Sequence, residues 1–104
     1  MKKLFTGLAL LAFSLCGFAK DVVIDVRTPQ EYAAGHIDGA ININHSDIAQ
    51  EISKANVAKD DKVILYCRSG NRSGIAQETL KKMGFTRVEN YGGMDQARQL
   101  LSKK

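Results

Sequence analysis

The stretch that decides the fold is "VILYCRSGNRSG", residues 63–74, where an apolar run meets a polar and basic loop. The run of residues 63–67 is the most apolar segment beyond residue 20, which is typical of a buried central strand. Residues 73–85 then predict a helix. Its predicted core-facing stripe is Ile75, Leu80 and Met83. Cys67 is therefore expected at the carboxyl end of the strand, where open parallel sheets bind ligands.

Strand and helix patterns alternate on both sides of this stretch. Strands are predicted over residues 21–26, 39–44 and 87–91. Helices are predicted over residues 28–35, 47–54 and 94–104. Alternation of this kind favours an α/β fold, with a short and mostly parallel sheet of about four strands flanked by helices in three layers.

Two details of these elements are specific enough to check. Thr28 and Ser46 have the side chains that cap helix N-termini, each ahead of a predicted helix. Ile41 and Ile43 are two residues apart, so a strand there would place both on one face.

Residues 1–19 are typical of a secretory signal peptide rather than of a folded domain. The segment has a positively charged start, an apolar run too short for a membrane span, and small residues before a predicted cut after Ala19. We therefore expect an exported domain of residues 20–104 without stable membrane association. Cleavage would remove Lys2 and Lys3 and lower the net charge from +4 to +2, which gives little support to a nucleic-acid partner.

The number of cysteines limits the kinds of site that the chain can form. Cys16 would leave with the signal segment, so Cys67 would have no partner for a disulfide within the chain. It is then either an inert buried thiol or a thiol kept for its reactivity. A single cysteine excludes a CxxC redox pair and a zinc site of several cysteines.

The loop after Cys67 is suited to stabilising negative charge. A tight turn between strand and helix directs backbone N–H groups inward, Gly70 permits a positive φ, and Arg68 and Arg72 add permanent charge. These features predict a lowered thiol pKa and a binding site for a small anion. Four residues separate Cys67 from Arg72, whereas Cys-dependent phosphatases have five, and the shorter ring suits a single sulfur atom.

Three motifs resemble the rhodanese family of sulfurtransferases over nearly all of residues 20–104. They are "IDVRTPQEYAAGHIDGAININ" near the start, "YCRSGNRS" in the loop and "VENYGGM" near the end. The loop is similar to that of the branch that uses thiosulfate. Together with the signal segment, the resemblance implies a single-domain, periplasmic member of the family.

The resemblance implies a two-step transfer in which Cys67 is the catalytic nucleophile and carries a persulfide. Thiosulfate would be the donor, and cyanide or a thiol the thiophilic acceptor, with neither a metal nor an organic cofactor needed. We also expect the protein to be a monomer. The implied substrate-binding residues are Arg68, Ser69, Gly70, Asn71, Arg72 and Ser73. Asp25 and Arg27 are interpreted as supporting residues, and Glu31 as part of the same structural network. Two alternatives remain open on the sequence: a Cys-loop phosphatase or arsenate reductase, and a non-catalytic persulfide carrier or binding module.

Overall fold

The structure is a computed structural model that describes residues 20–103. Within this range the chain forms a sheet of four parallel strands in the order β2-β1-β3-β4. The strands are β1 (Asp21–Asp25), β2 (Ile41–Asn42), β3 (Lys62–Cys67) and β4 (Arg87–Gly93). The prediction of a four-stranded α/β fold is confirmed, and β1 and β3 are the two inner strands. The predicted signal segment, with Cys16, lies outside the described residues.

Four α-helices connect or follow these strands. They are α1 (Pro29–Ala34), α2 (Ile48–Glu51), α3 (Asn71–Lys82) and α4 (Met94–Ser102). Short 3₁₀ turns, His45–Asp47 and Ile52–Ala55, flank α2. Among residues 20–103, the helices are too short or too polar for any of them to cross a membrane.

The sheet separates two apolar layers. On one face, alternate residues of β3 (Val63, Leu65 and Cys67) belong to the larger core cluster, which includes Leu80 of α3. On the other face, Tyr66 packs with Ala40 and Ala97. This three-layer arrangement follows from the near-continuous apolar sequence of β3, because a strand buried on both faces needs apolar residues at every position.

The start of the chain folds as predicted where the local capping signals are strongest. The Thr28 side chain accepts a hydrogen bond from the Glu31 N–H, and the Glu31 carboxylate accepts one from the Thr28 N–H. This capping box, with Pro29 at the first helical position, begins α1 as expected.

The segment after α1 differs from the prediction. β2 has two residues instead of six, and Ile41 is 37% exposed while Ile43 is buried, so the two do not share a covered face. Ser46 does not cap the next helix, because Asn44 Oδ1 accepts from the Ser46 N–H and begins a 3₁₀ turn there. The expected helix over residues 47–54 is accordingly interrupted, although Ile48 and Ile52 are buried as the pattern required.

The stripe predicted for the helix after the loop is also partly wrong. α3 begins at Asn71, two residues before the predicted start, and buries Ser73, Ala76 and Leu80. Because these residues are spaced by three and four, they define a face that excludes Ile75, which is 50% exposed.

Candidate active site

Cys67 is the last residue of β3, and its side chain is completely buried. The Gly70 N–H donates to Cys67 Sγ at 2.9 Å. This contact requires the loop to turn back sharply, and Gly70 makes the turn with a φ of +93°. The loop therefore directs backbone donors at the sulfur, as the sequence predicted.

Two opposing effects, burial and hydrogen bonding, set the pKa of the Cys67 thiol. Burial raises this pKa, because it disfavours the charged thiolate. Hydrogen bonds to the sulfur, among them the one from the Gly70 N–H, outweigh burial, so the pKa lies below its ordinary value. The thiol is therefore more acidic than an ordinary cysteine, which is the condition for a nucleophile at neutral pH.

The double glycine of the third motif lies directly against the loop. A Cβ on Gly93 would come within 2.8 Å of the Arg68 carbonyl oxygen, and a Cβ on Gly70 within 3.2 Å of Gly92 Cα. Side chains at these positions would push the loop away from β4. The glycines thus let two backbone segments meet, and their position beside Cys67 is information that the motif alone did not give.

The two arginines of the loop have different surroundings. The Arg72 guanidinium binds both carboxylate oxygens of Glu31, at 2.8 and 3.1 Å. Arg68 is exposed and lines a depression of about 350 Å³. The other residues that line it are Arg27, Glu31, Ala34, Met94 and Asp95. Arg68 is therefore the more accessible cation, while Arg72 is held in place by its partner.

Asp25 and Arg27 form a buried ion pair at the carboxyl end of β1. The Arg27 NH2 group lies 2.6 Å from Asp25 Oδ2, and it also donates to the Gly35 carbonyl oxygen at 2.6 Å. The Asp25 carboxylate accepts from the Arg27 backbone N–H as well. The pair ties the end of β1 to the end of α1.

The remaining predicted substrate-binding residues lie at the loop or at its end. Ser69 and Asn71 are exposed, whereas Ser73 is completely buried and its Oγ lies 3.5 Å from Cys67 Sγ. Asn90 of β4, which lies in the third motif but was not predicted as a site residue, is hydrogen-bonded to both ends of this arrangement, at Ser73 and Gly70. Its role could not be read from spacing, because it depends on how β4 lies beside the loop.

Residues 14–99 match the model of one protein family, the Rhodanese-like domain. The chain belongs to this family. The match begins within the predicted signal segment, six residues before the described structure.

Relatives of known sequence and structure agree with this assignment. The chain is 46% identical over 93 residues to the thiosulfate sulfurtransferase PspE of Escherichia coli, with 89% of this chain and 88% of that protein aligned. An E. coli rhodanese solved with anions is 43% identical, with a TM-score of 0.70 over 73% of this chain and 89% of that one. The human single-domain sulfurtransferase TSTD1 is 27% identical, with a TM-score of 0.65 over 93% of each chain.

Proposed function

We propose that this protein is a thiosulfate sulfurtransferase in which Cys67 carries the transferred sulfur as a persulfide. The observation that carries the proposal is the buried Cys67 Sγ at a strand end, accepting the Gly70 N–H at 2.9 Å. A lowered thiol pKa makes the thiolate available for attack, and the loop arginines supply the charge that a small dianion requires.

In the first half-reaction, the Cys67 thiolate attacks the outer sulfur of thiosulfate. A new sulfur–sulfur bond forms at Cys67, the sulfur–sulfur bond of thiosulfate breaks, and sulfite leaves with the electron pair. In the second, a thiophilic acceptor attacks the outer sulfur of the persulfide and the Cys67 thiolate is released. Each half-reaction exchanges one bond for another, so no external oxidant or reductant is needed.

The residues around Cys67 have distinct roles in this proposal. Exposed Arg68 binds the thiosulfate oxygens directly, and Arg72, oriented by Glu31, contributes its charge to the same loop. The hydroxyl of Ser69 and the amide of Asn71 lie at the exposed side of the loop and can donate to the substrate. Asp25 and Arg27 support the loop through the structure rather than through contact with the substrate.

The test is turnover with a matched variant. The intact protein is mixed with thiosulfate and cyanide, and thiocyanate is followed beside Cys67→Ser, in which the hydroxyl replaces the thiol. We expect thiocyanate from the intact protein and none above background from the variant. Mass spectrometry after thiosulfate alone should show a gain of one sulfur atom on Cys67. Equal rates from both proteins, or no added sulfur, would refute the proposal.

We also propose that residues 1–19 form a cleaved signal, and that the domain of residues 20–104 acts in the periplasm as a monomer. Support comes from the charged start, the apolar run and the small residues before the cut. Expression of the full chain in a Gram-negative host, followed by fractionation, tests the proposal. A periplasmic protein whose first residue is Lys20 is expected, and a cytoplasmic protein that retains residues 1–19 would contradict it.

A further inference from the structure

The Asn90 side chain makes three hydrogen bonds, two of which bridge β4 to the active loop and the start of α3. Its Oδ1 accepts from the Ser73 hydroxyl at 2.6 Å and from the Gly92 N–H at 2.9 Å. Its Nδ2 donates to the Gly70 carbonyl oxygen at 3.0 Å. One amide thus contacts the turn of the loop, the first turn of α3 and the double glycine.

The two backbone partners fix the orientation of this amide. The Gly92 N–H can only donate and the Gly70 carbonyl can only accept, so a flipped amide would face donor with donor and acceptor with acceptor. Oδ1 therefore faces Ser73. Because an amide oxygen has no proton, the 2.6 Å contact must use the single hydroxyl proton of Ser73.

Cys67 competes for that same proton. Its Sγ lies 3.5 Å from Ser73 Oγ, within the reach of a hydrogen bond to sulfur. While the hydroxyl proton points at Asn90, Ser73 presents only lone pairs to the sulfur. In that arrangement Ser73 accepts a hydrogen bond from the neutral thiol and gives none to the thiolate.

We propose that Asn90 is a positioning residue of the active site, which holds the Ser73 hydroxyl proton away from Cys67 Sγ. The thiolate then depends on backbone N–H groups for its hydrogen bonds. A thiolate with fewer donors is more basic and more nucleophilic. Asn90 thereby lowers the fraction of Cys67 that is ionised and raises the nucleophilicity of the thiolate toward the sulfur donor.

This inference deepens the proposed function, because it concerns the same thiol. Its test measures alkylation of Cys67 and not sulfur transfer, so the two proposals can fail separately. Among residues 20–103, the charged groups around the loop are Arg68, with Asp95 in the same depression, Arg72 with its partner Glu31, and the buried Asp25–Arg27 pair. Neutral substitutions at Asn90 and Ser73 leave all of these charges in place.

The experiment records the rate of iodoacetamide alkylation of Cys67 in the full chain against pH, followed on the peptide that contains Cys67 because Cys16 is also a thiol. In Asn90→Ala the Ser73 hydroxyl is free to donate to the thiolate. We expect the midpoint of the profile to move to lower pH, and the limiting rate above the midpoint to fall. Well below the midpoint, the rate should rise by roughly twofold or more, because the gain in thiolate exceeds the loss of nucleophilicity.

Two further variants test whether the shift of the midpoint depends on the Ser73 hydroxyl. Gln77→Ala is the matched control, since the Gln77 side chain also joins α3 to β4, at the Val88 carbonyl, without contacting Cys67. Its profile should match that of the unmodified protein. In a Ser73→Ala background, Asn90→Ala should no longer lower the midpoint, because there is no hydroxyl proton left to release.

Three outcomes would overturn the inference. They are an unchanged or raised midpoint in Asn90→Ala, the same fall in the Ser73→Ala background, and a fall in Gln77→Ala. If Asn90→Ala does not fold, the alkylation profile of Ser73→Ala tests the inference by itself. Its midpoint should not rise, since the hydroxyl that it removes was not donating to the thiolate, and a rise would refute the role given to Asn90.

Discussion

The Arg72 guanidinium and the Glu31 carboxylate form a two-point ion pair, with nitrogen–oxygen distances of 2.8 and 3.1 Å. Glu31 also accepts the Thr28 N–H in the capping box of α1, so one carboxylate joins the amino-terminal motif to the active loop. The hydrogen bonds from Arg72, followed by the one from the Thr28 backbone, lower the pKa of Glu31 to about 2. The pair therefore persists at neutral and mildly acidic pH.

Glu31→Gln should remove the charge of this pair while keeping an oxygen that accepts from Thr28. We expect a loss of about 1 kcal/mol in the free energy of unfolding near neutral pH, as for a well-aligned but partly exposed pair. The pKa of Glu31 is lowered by folding, so its contribution is present above the ordinary carboxyl pKa and disappears as pH falls through about 2. Urea unfolding at several pH values checks this, and a difference that does not shrink in acid would contradict it.

The two loop arginines should respond differently to substitution. Arg68→Ala should raise the KM for thiosulfate about tenfold, because an accessible charged donor is lost, and should leave stability almost unchanged. Arg72→Ala should raise KM and also lower stability, because Glu31 loses its partner. Steady-state kinetics and urea unfolding of both variants provide the comparison. An unchanged KM in Arg68→Ala would exclude direct binding of the donor by that residue.

Local sequence patterns predicted the structure correctly where a single local signal, such as an apolar run or a helix cap, was strong. The apolar sequence of β3 predicted a buried central strand, and Thr28 predicted the start of α1. Gly70 was expected to allow a positive φ, and it does. These predictions depend on a few neighbouring residues, so they do not require knowledge of the tertiary structure.

Other features depend on which segments meet in space. The exposure of Ile75 follows from the rotation of α3 on the sheet, and the short β2 follows from its place at the sheet edge. Asn90 is 17 residues from Ser73, and only the packing of β4 beside α3 brings the two together. Periodicity within one segment contains no information about such contacts.

Asp25→Asn should destabilise the fold more than Glu31→Gln or either substitution of a loop arginine. The Asp25 carboxylate is completely buried and accepts three hydrogen bonds from Arg27 groups within 2.9 Å. Neutralising it leaves the buried Arg27 charge without its counterion, at a cost of about 3 to 5 kcal/mol. Glu51→Gln is the control, since it breaks the exposed pair with Lys54 and should change stability by less than about 0.5 kcal/mol. Similar losses in both variants would show that burial does not set the strength of these pairs.

Gly70→Ala tests whether the turn of the loop is needed for the thiol and not only for folding. Gly39 has a similar φ, +87° against +93°, but a Cβ there would meet nothing within 4 Å. Both alanine variants should lose about 1 to 2 kcal/mol, because a positive φ is unfavourable for any residue with a Cβ. Only in Gly70→Ala should the added methyl press on Gly92 and move the Gly70 N–H away from Cys67 Sγ. The pKa of Cys67 should then rise and thiocyanate production should slow at neutral pH, whereas Gly39→Ala should keep both values. If the two variants give the same alkylation profile, the N–H of Gly70 does not stabilise the thiolate.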